Sequence, residues 1–343
     1  MVLGSALIPL SRPTELASVP GRIPTLLWAS LLTTWVLAAN GSRADAQQTP
    51  PLFTRIPDEA GLSHNSVYAL HRDREGFLWV GTADGLNRFD GYEFRVFRHD
   101  PADEHSLSGN LVWDITEDGV GRLWIATDGG LDRLRRDNGG FEHFGVGKPD
   151  PTRPAAWTRI LEDKAGTVWV GTPTGLFRLD AATDTFVARP LPVESRGGIT
   201  AMALDLEGEL WVTVAGPERG TLVKVGSGRF GGAARDPLSD AFGFDHDGQI
   251  WFAPDQPARI DLDRGVVARE PWGSRVMAVA RDSAGALWFG TSDGLLRRDS
   301  TGTARITLEA SDEAYVFGFV RSLHLDDAGL VWVGTHGGLY VHD

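Results

Sequence analysis

The pattern Asp-x-x-Gly-x-(Leu/Ile/Val)-Trp recurs seven times and constrains this chain more than any other feature. It runs Asp73-Gly76-Trp79, Asp118-Gly121-Trp124, Asp163-Gly166-Trp169, Asp205-Gly208-Trp211, Asp245-Gly248-Trp251, Asp282-Gly285-Trp288 and Asp326-Gly329-Trp332. Successive Trp lie 45, 45, 42, 40, 37 and 44 residues apart. A repeat of that period marks a supersecondary unit that buries its faces only by stacking on its neighbours. The β-rich content of each unit predicts an all-β fold: a seven-bladed β-propeller of four-stranded antiparallel blades.

The first repeat divides into four short runs bounded by Gly, Asp and Asn: 66–71, 77–82, 86–90 and 93–98. Each is rich in β-branched and aromatic residues, as strands are. Asp-x-x-Gly supplies the first turn, with Asp accepting a nearby backbone N–H and Gly taking positive φ. Asp245-His246-Asp247-Gly248 resembles the start of a calcium loop but lacks the later acidic ligands, so it too is expected to be a turn. Trp in the second run is expected to pack between adjacent blades. The seventh repeat stops after a third run, 338–343, while a spare run, 52–56, precedes the first repeat. That N-terminal strand is expected to complete the last blade and remove two exposed sheet edges.

Residues 1–46 are read apart from the propeller, which is assigned 47–343. Arg12 and Arg22 precede an apolar stretch over 25–39, and Ala44-Asp45-Ala46 is a small-x-small cleavage signature. This is the layout of a signal peptide, with an uncleaved anchor as the alternative, and it predicts a periplasmic or secreted protein. The chain has no Cys, hence no disulfide, thiol nucleophile or thiolate metal site. Its net charge is −13 with no Lys/Arg run, so nucleic acid is excluded as a partner.

With the repeats aligned, GLSHNSVYALHRDREGFLWVGTADGLNRFDGYEFRVF and SLSGNLVWDITEDGVGRLWIATDGGLDRLRRDNGGFEHF resemble the two-component-regulator propeller repeat. The resemblance covers 52–343. It is best in repeats 1, 2, 3, 6 and 7, whereas Trp211-Val-Thr-Val and Trp251-Phe-Ala-Pro lose the Gly-Thr pair. It implies the periplasmic sensor portion of hybrid histidine kinases and related regulators. Larger members continue into a second propeller, a β-sandwich, a transmembrane helix and an output domain. No kinase ATP-site motif or second apolar span is found here, so a signal is expected to pass through a separate sensor kinase or regulator.

Gly290-Thr291-Ser292-Asp293-Gly294 matches the Gly-x-Ser-x-Gly of hydrolase elbows, but other repeats hold GTADG, GTPTG and GTHGG in the same slot, so a strand-to-strand turn is expected. No metal site, cofactor or catalytic constellation is read from the sequence. Binding is expected on the face that carries the loops entering each inner strand and those between second and third strands. That face is assigned His64, Asn65, Asp84, Asn110, Asp128, Arg275, Asp293 and His336, with Trp113 and Trp157 at its inner rim. Four residues before each turn Asp the series reads Ala69, Asp114, Arg159, Ala201, Ala241, Ala278 and Ser322. Asp114 and Arg159 stand out as opposite charges in adjacent blades, either an interblade ion pair or a polar anchor at the channel mouth. The expected ligand is small and polar, such as a carbohydrate, or an envelope protein. Two alternatives are carried: a metal-dependent lyase resembling the streptogramin-lyase propellers, drawing on His64 or His336, and an envelope interaction scaffold.

Overall fold

The computed structural model describes residues 53–146, 158–191, 198–215, 221–226, 241–245, 247–252, 258–261, 266–269, 274–306, 319–326 and 328–342. The signal segment 1–46 and Trp157 lie outside the described residues.

Each repeat forms one antiparallel sheet whose strands run outward in chain order. The first sheet is Val67–Arg72, Leu78–Thr82, Gly85–Phe89 and Phe94–Phe97. The second is Val112–Glu117, Leu123–Thr127, Leu131–Leu134 and Phe141–Phe144, and the third is Arg159–Glu162, Val168–Thr172, Gly175–Asp180 and Thr185–Arg189. The fourth holds Ile199–Leu204, Leu210–Val214 and Thr221–Lys224; the fifth, Phe242–Phe244, Ile250–Phe252, Ala258–Asp261 and Val266–Arg269. The sixth is Val276–Arg281, Leu287–Thr291, Gly294–Asp299 and Gly302–Ile306. In the seventh, Val320–Leu325, Val331–Thr335 and Gly338–His342 are followed outward by Thr54–Arg55 from the N-terminal side.

The fold is an all-β propeller of four-stranded antiparallel blades. The expected count of seven four-stranded blades is corrected: six sheets have four strands, and the fourth has three among the described residues. That repeat has lost the Gly-Thr pair, and residues 227–240, which follow its third strand, lie outside the described residues. The N-terminal pairing is shorter than the expected 52–56, with Thr54 opposite Val341 and Arg55 opposite Tyr340. Ile56 N–H adds a bond to Leu339 O at 2.9 Å, and Phe53 is buried with Trp288 and Tyr340.

The seven-residue pattern works through its carboxylate. Asp73 Oδ1 accepts the N–H groups of Glu75 and Phe77, both at 3.0 Å, while Oδ2 accepts Trp79 Nε1–H at 2.8 Å. The Trp bond recurs at 2.8–3.1 Å in the second to sixth repeats, onto Asp118, Asp163, Asp205, Asp245 and Asp282. One carboxylate therefore sets the turn and anchors the largest buried ring of the sheet. The seventh repeat differs. There the Arg72 guanidinium of the first sheet takes Asp326 Oδ2, and Trp332 Nε1 lies against that carboxylate without a hydrogen bond of normal geometry.

Sheets dock through glycine sockets. A Cβ on Gly81 would lie 2.6 Å from Val112 Cγ1 of the next inner strand, and Gly171 and Gly290 receive Ile199 and Val320 in the same way at 2.6 Å. Gly334 of the seventh sheet receives Val67 of the first at 2.5 Å. The absent side chain is what lets neighbouring inner strands approach, and it explains Gly in Trp-Val-Gly-Thr.

Asp73→Asn tests the anchor. A carboxamide has one acceptor oxygen, so either Trp79 Nε1 or the turn N–H pair loses its partner. The expected loss is about 1–3 kcal/mol by urea denaturation, with Asp137→Asn on the surface leaving the midpoint unchanged.

Candidate functional site

Inner strands carry a bulge that the repeat pattern alone does not reveal. Val67 pairs with Thr82 and Ala69 with Gly81, leaving Tyr68 without a residue opposite it. The second, fourth, sixth and seventh sheets shift in the same place, at Trp113, Thr200, Met277 and Arg321. A bulge re-aims the extra side chain out of the strict in–out alternation. In the first, second and seventh sheets this gathers a cluster at one end of the inner strands. Tyr68 meets Trp113 edge-on at 5.3 Å and His336 at 6.1 Å, and Phe319 lies 5.4 Å from His336. The Arg321 guanidinium lies 4.9 Å from the centre of the Tyr68 ring, and Arg321 Nε donates to His336 Nε2 at 2.6 Å.

His64 and His336 occupy adjacent sheets on this face, as expected. Both are exposed, and His336 is held below its ordinary pKa by burial of its ring, by the Arg321 charge and by His64. Trp113 is only 8% exposed and packs with Trp124, Ile160 and Val170, so it forms a back wall rather than an open platform. Asp114 and Arg159 do come together across the second and third sheets. Asp114 Oδ2 accepts Ile160 N–H at 2.8 Å, Oδ1 accepts Ile115 N–H at 3.0 Å, and Arg159 donates to Trp113 O at 3.3 Å. Burial raises the Asp114 carboxyl above its usual range despite the opposing Arg159 charge and backbone bonds.

The remaining expected residues brace loops. Asp84 pairs with Arg98 at 3.1 Å, Asn110 Oδ1 accepts His99 N–H at 2.7 Å, and Asp128 Oδ1 accepts Leu111 N–H at 3.1 Å. Asp293 accepts Ser274 Oγ–H at 2.6 Å, while Asn65 and Arg275 are exposed. The Gly290–Gly294 segment joins two strands, with Thr291 Oγ1 bonded to Gly294 O at 2.8 Å, so it is a turn and not an elbow. Tyr68, Phe319 and Arg321 were not foreseen. Listing the residue five before each turn Asp, instead of four, would have exposed Tyr68, Trp113 and Arg321 as the members unlike the rest.

The opposite face holds a cavity of about 540 Å³ lined by His71, Arg72, Glu117, His324 and Asp326 among others. His71 and His324 stand two residues before their turn Asp, with ring centres 5.8 Å apart. His71 Nε2 accepts Glu117 N–H at 3.2 Å, and burial, opposed by the Asp73 charge, lowers its pKa to about 4. Among the described residues no group of three or more His, Asp or Glu could hold a metal ion, and no helix is long and apolar enough to cross a membrane.

Comparison with known proteins matches the two-component regulator propeller at residues 61–84 and 106–129. Two of the repeats, those of Asp73 and Asp118, match that family's model. A histidine kinase of Formosa agariphila is 45% identical over 58 residues, 17% of this chain and 4% of that one. The extracellular domain of a hybrid two-component system of B. thetaiotaomicron superposes with a TM-score of 0.73 at 22% identity, covering 86% of this chain and 42% of that one. The virginiamycin B lyase of Staphylococcus aureus, solved with quinupristin, gives 0.63 at 14% identity, covering 84% and 97%. At these identities the structural likeness shows the fold alone. The chain spans less than half of the extracellular domain that it matches.

His71 makes stability depend on pH. Its folded pKa near 4 lies below the ordinary 6.5, so between those values the unfolded chain binds the extra proton. Stability is therefore expected to fall as pH drops from about 6.5 towards 4, by at most about 3 kcal/mol from this group. His71→Gln should flatten that part of a denaturation-versus-pH profile.

Proposed function

We propose that the chain is an extracytoplasmic, non-catalytic sensor propeller that binds a small polar ligand at the mouth built by Tyr68, Trp113, Arg321 and His336. The seven sheets are read as one ring in which Thr54–Arg55 closes the last blade. This reading rests on the contact of the first and last inner strands and on Val67 seated over Gly334. The observation that carries the binding assignment is the convergence of an aromatic wall and a guanidinium on bulged inner-strand positions of neighbouring sheets. Such a surface offers stacking and directed hydrogen bonds together, which suits a carbohydrate or similar ligand. The signal passes to a separate kinase or regulator, as the shared repeats suggest.

The lyase reading has weaker support. Its base and metal ligands would need imidazole lone pairs, yet His64 Nδ1 is taken by Ser66 N–H and His336 Nε2 by Arg321. The scaffold reading predicts protein capture without a small ligand.

A saccharide panel screened by thermal shift on the purified protein tests the proposal. A binding saccharide should raise the midpoint, and Tyr68→Ser should abolish that rise while unfolding remains cooperative. Substrate turnover that requires His64 or His336 would overturn the non-catalytic assignment.

A further inference from the structure

We propose that the mouth reads an anionic group of its ligand, a carboxylate, sulfate or phosphate. This rests on the ligand-binding role proposed above and names the chemistry of that same site.

The argument begins with two tautomers. A guanidinium can only donate, so the 2.6 Å contact of Arg321 Nε with His336 Nε2 places the imidazole lone pair on Nε2 and the proton on Nδ1. At the neighbouring sheet Ser66 N–H donates to His64 Nδ1 at 2.9 Å, which leaves the proton on Nε2. Both exposed rings of this rim therefore spend their acceptor atom on the protein, and the nitrogen that remains to each is an N–H donor. They have nothing left with which to accept a hydrogen bond from a neutral hydroxyl.

Charge points the same way. Arg321 covers the Tyr68 ring, and Arg159 donates to the main-chain oxygen of Trp113, the residue whose ring meets Tyr68. The acid beside them, Asp114, has each oxygen on a backbone N–H, from Ile115 and Ile160, and faces Arg159. Burial of its ring, and then the Arg321 guanidinium beside it, keep His336 from taking up a second proton, in a chain of net charge −13. A guanidinium beside two imidazoles whose acceptor nitrogens are already used favours an anion over a neutral group of the same shape. The aromatic wall of Tyr68, Trp113 and Phe319 then holds the body of the ligand to which that anion is attached.

Isothermal titration of the full chain with glucose, glucuronate, glucose 6-sulfate and glucose 6-phosphate tests this and separates the three anions. At least one charged probe should bind about ten-fold or more tighter than glucose, the size expected of one charge-assisted hydrogen bond. Arg321→Met should remove that preference, Arg321→Lys should retain most of it, and Arg98→Met on the outer rim should leave it unchanged. Glucose binding as tightly as the charged probes, with Tyr68→Ser still abolishing it, would overturn the anion inference and leave the ligand-binding role standing. A charged preference that survives Arg321→Met in a protein of unaltered melting midpoint would overturn it as well. No binding by any of the four probes would remove the ligand-binding role together with it.

Discussion

One carboxylate per repeat holds this structure in register. The turn Asp accepts two backbone N–H groups through Oδ1 and, in the first six repeats, the indole N–H through Oδ2. A Trp buried between sheets without a partner for its N–H would forfeit part of what its area contributes. By routing that N–H to the turn, the repeat links hairpin geometry to the packing of the sheet. The two cannot drift apart. Where the seventh repeat gives its Asp to Arg72 of the first sheet instead, a bond that elsewhere organises one sheet organises a contact between two.

The second constraint is distance between inner strands. In the first, second, fourth and seventh repeats, Val or Ile six residues before the turn Asp presses into a position where the preceding sheet has no side chain. Packing at interior density tolerates little extra volume there. The second sheet uses Ala126 at this position, fully buried, while the fourth uses Thr213, and the fourth is also the sheet with three described strands. The Gly-Thr pair is thus a docking surface as well as a turn.

Much of this was legible in the sequence because it repeats. The seven-residue pattern fixed the repeat length, and first-sheet strand limits agree with expectation to within a residue or two. Asp293 in its turn was legible for the same reason, since four repeats share the slot. The indole bond from Trp79 to Asp73 was not, because spacing of six residues acquires meaning only after the hairpin closes. Nor was the bulge. It adds one residue between Val67 and Ala69 without altering any hydrophobic position, so alternation counts pass over Tyr68 and Arg321. Candidates chosen by loop location, such as Asp84, Asn110 and Asp128, proved to be tied to loop backbone or to Arg98. Those chosen by conflict between repeats, Asp114 and Arg159, did meet.

That contrast explains how one cluster of side chains can differ among otherwise uniform repeats. In four repeats the position six before the turn Asp is held to Val or Ile by a glycine socket, and the turn and Trp positions are held by the carboxylate. The bulged residue answers to neither constraint, since no strand partner stands opposite it. It is Tyr, Trp, Thr, Met and Arg in the five sheets that carry the bulge. Chemistry therefore accumulates where the repeats disagree, and the first, second and seventh sheets carry Tyr68, Trp113 and Arg321 at that one position.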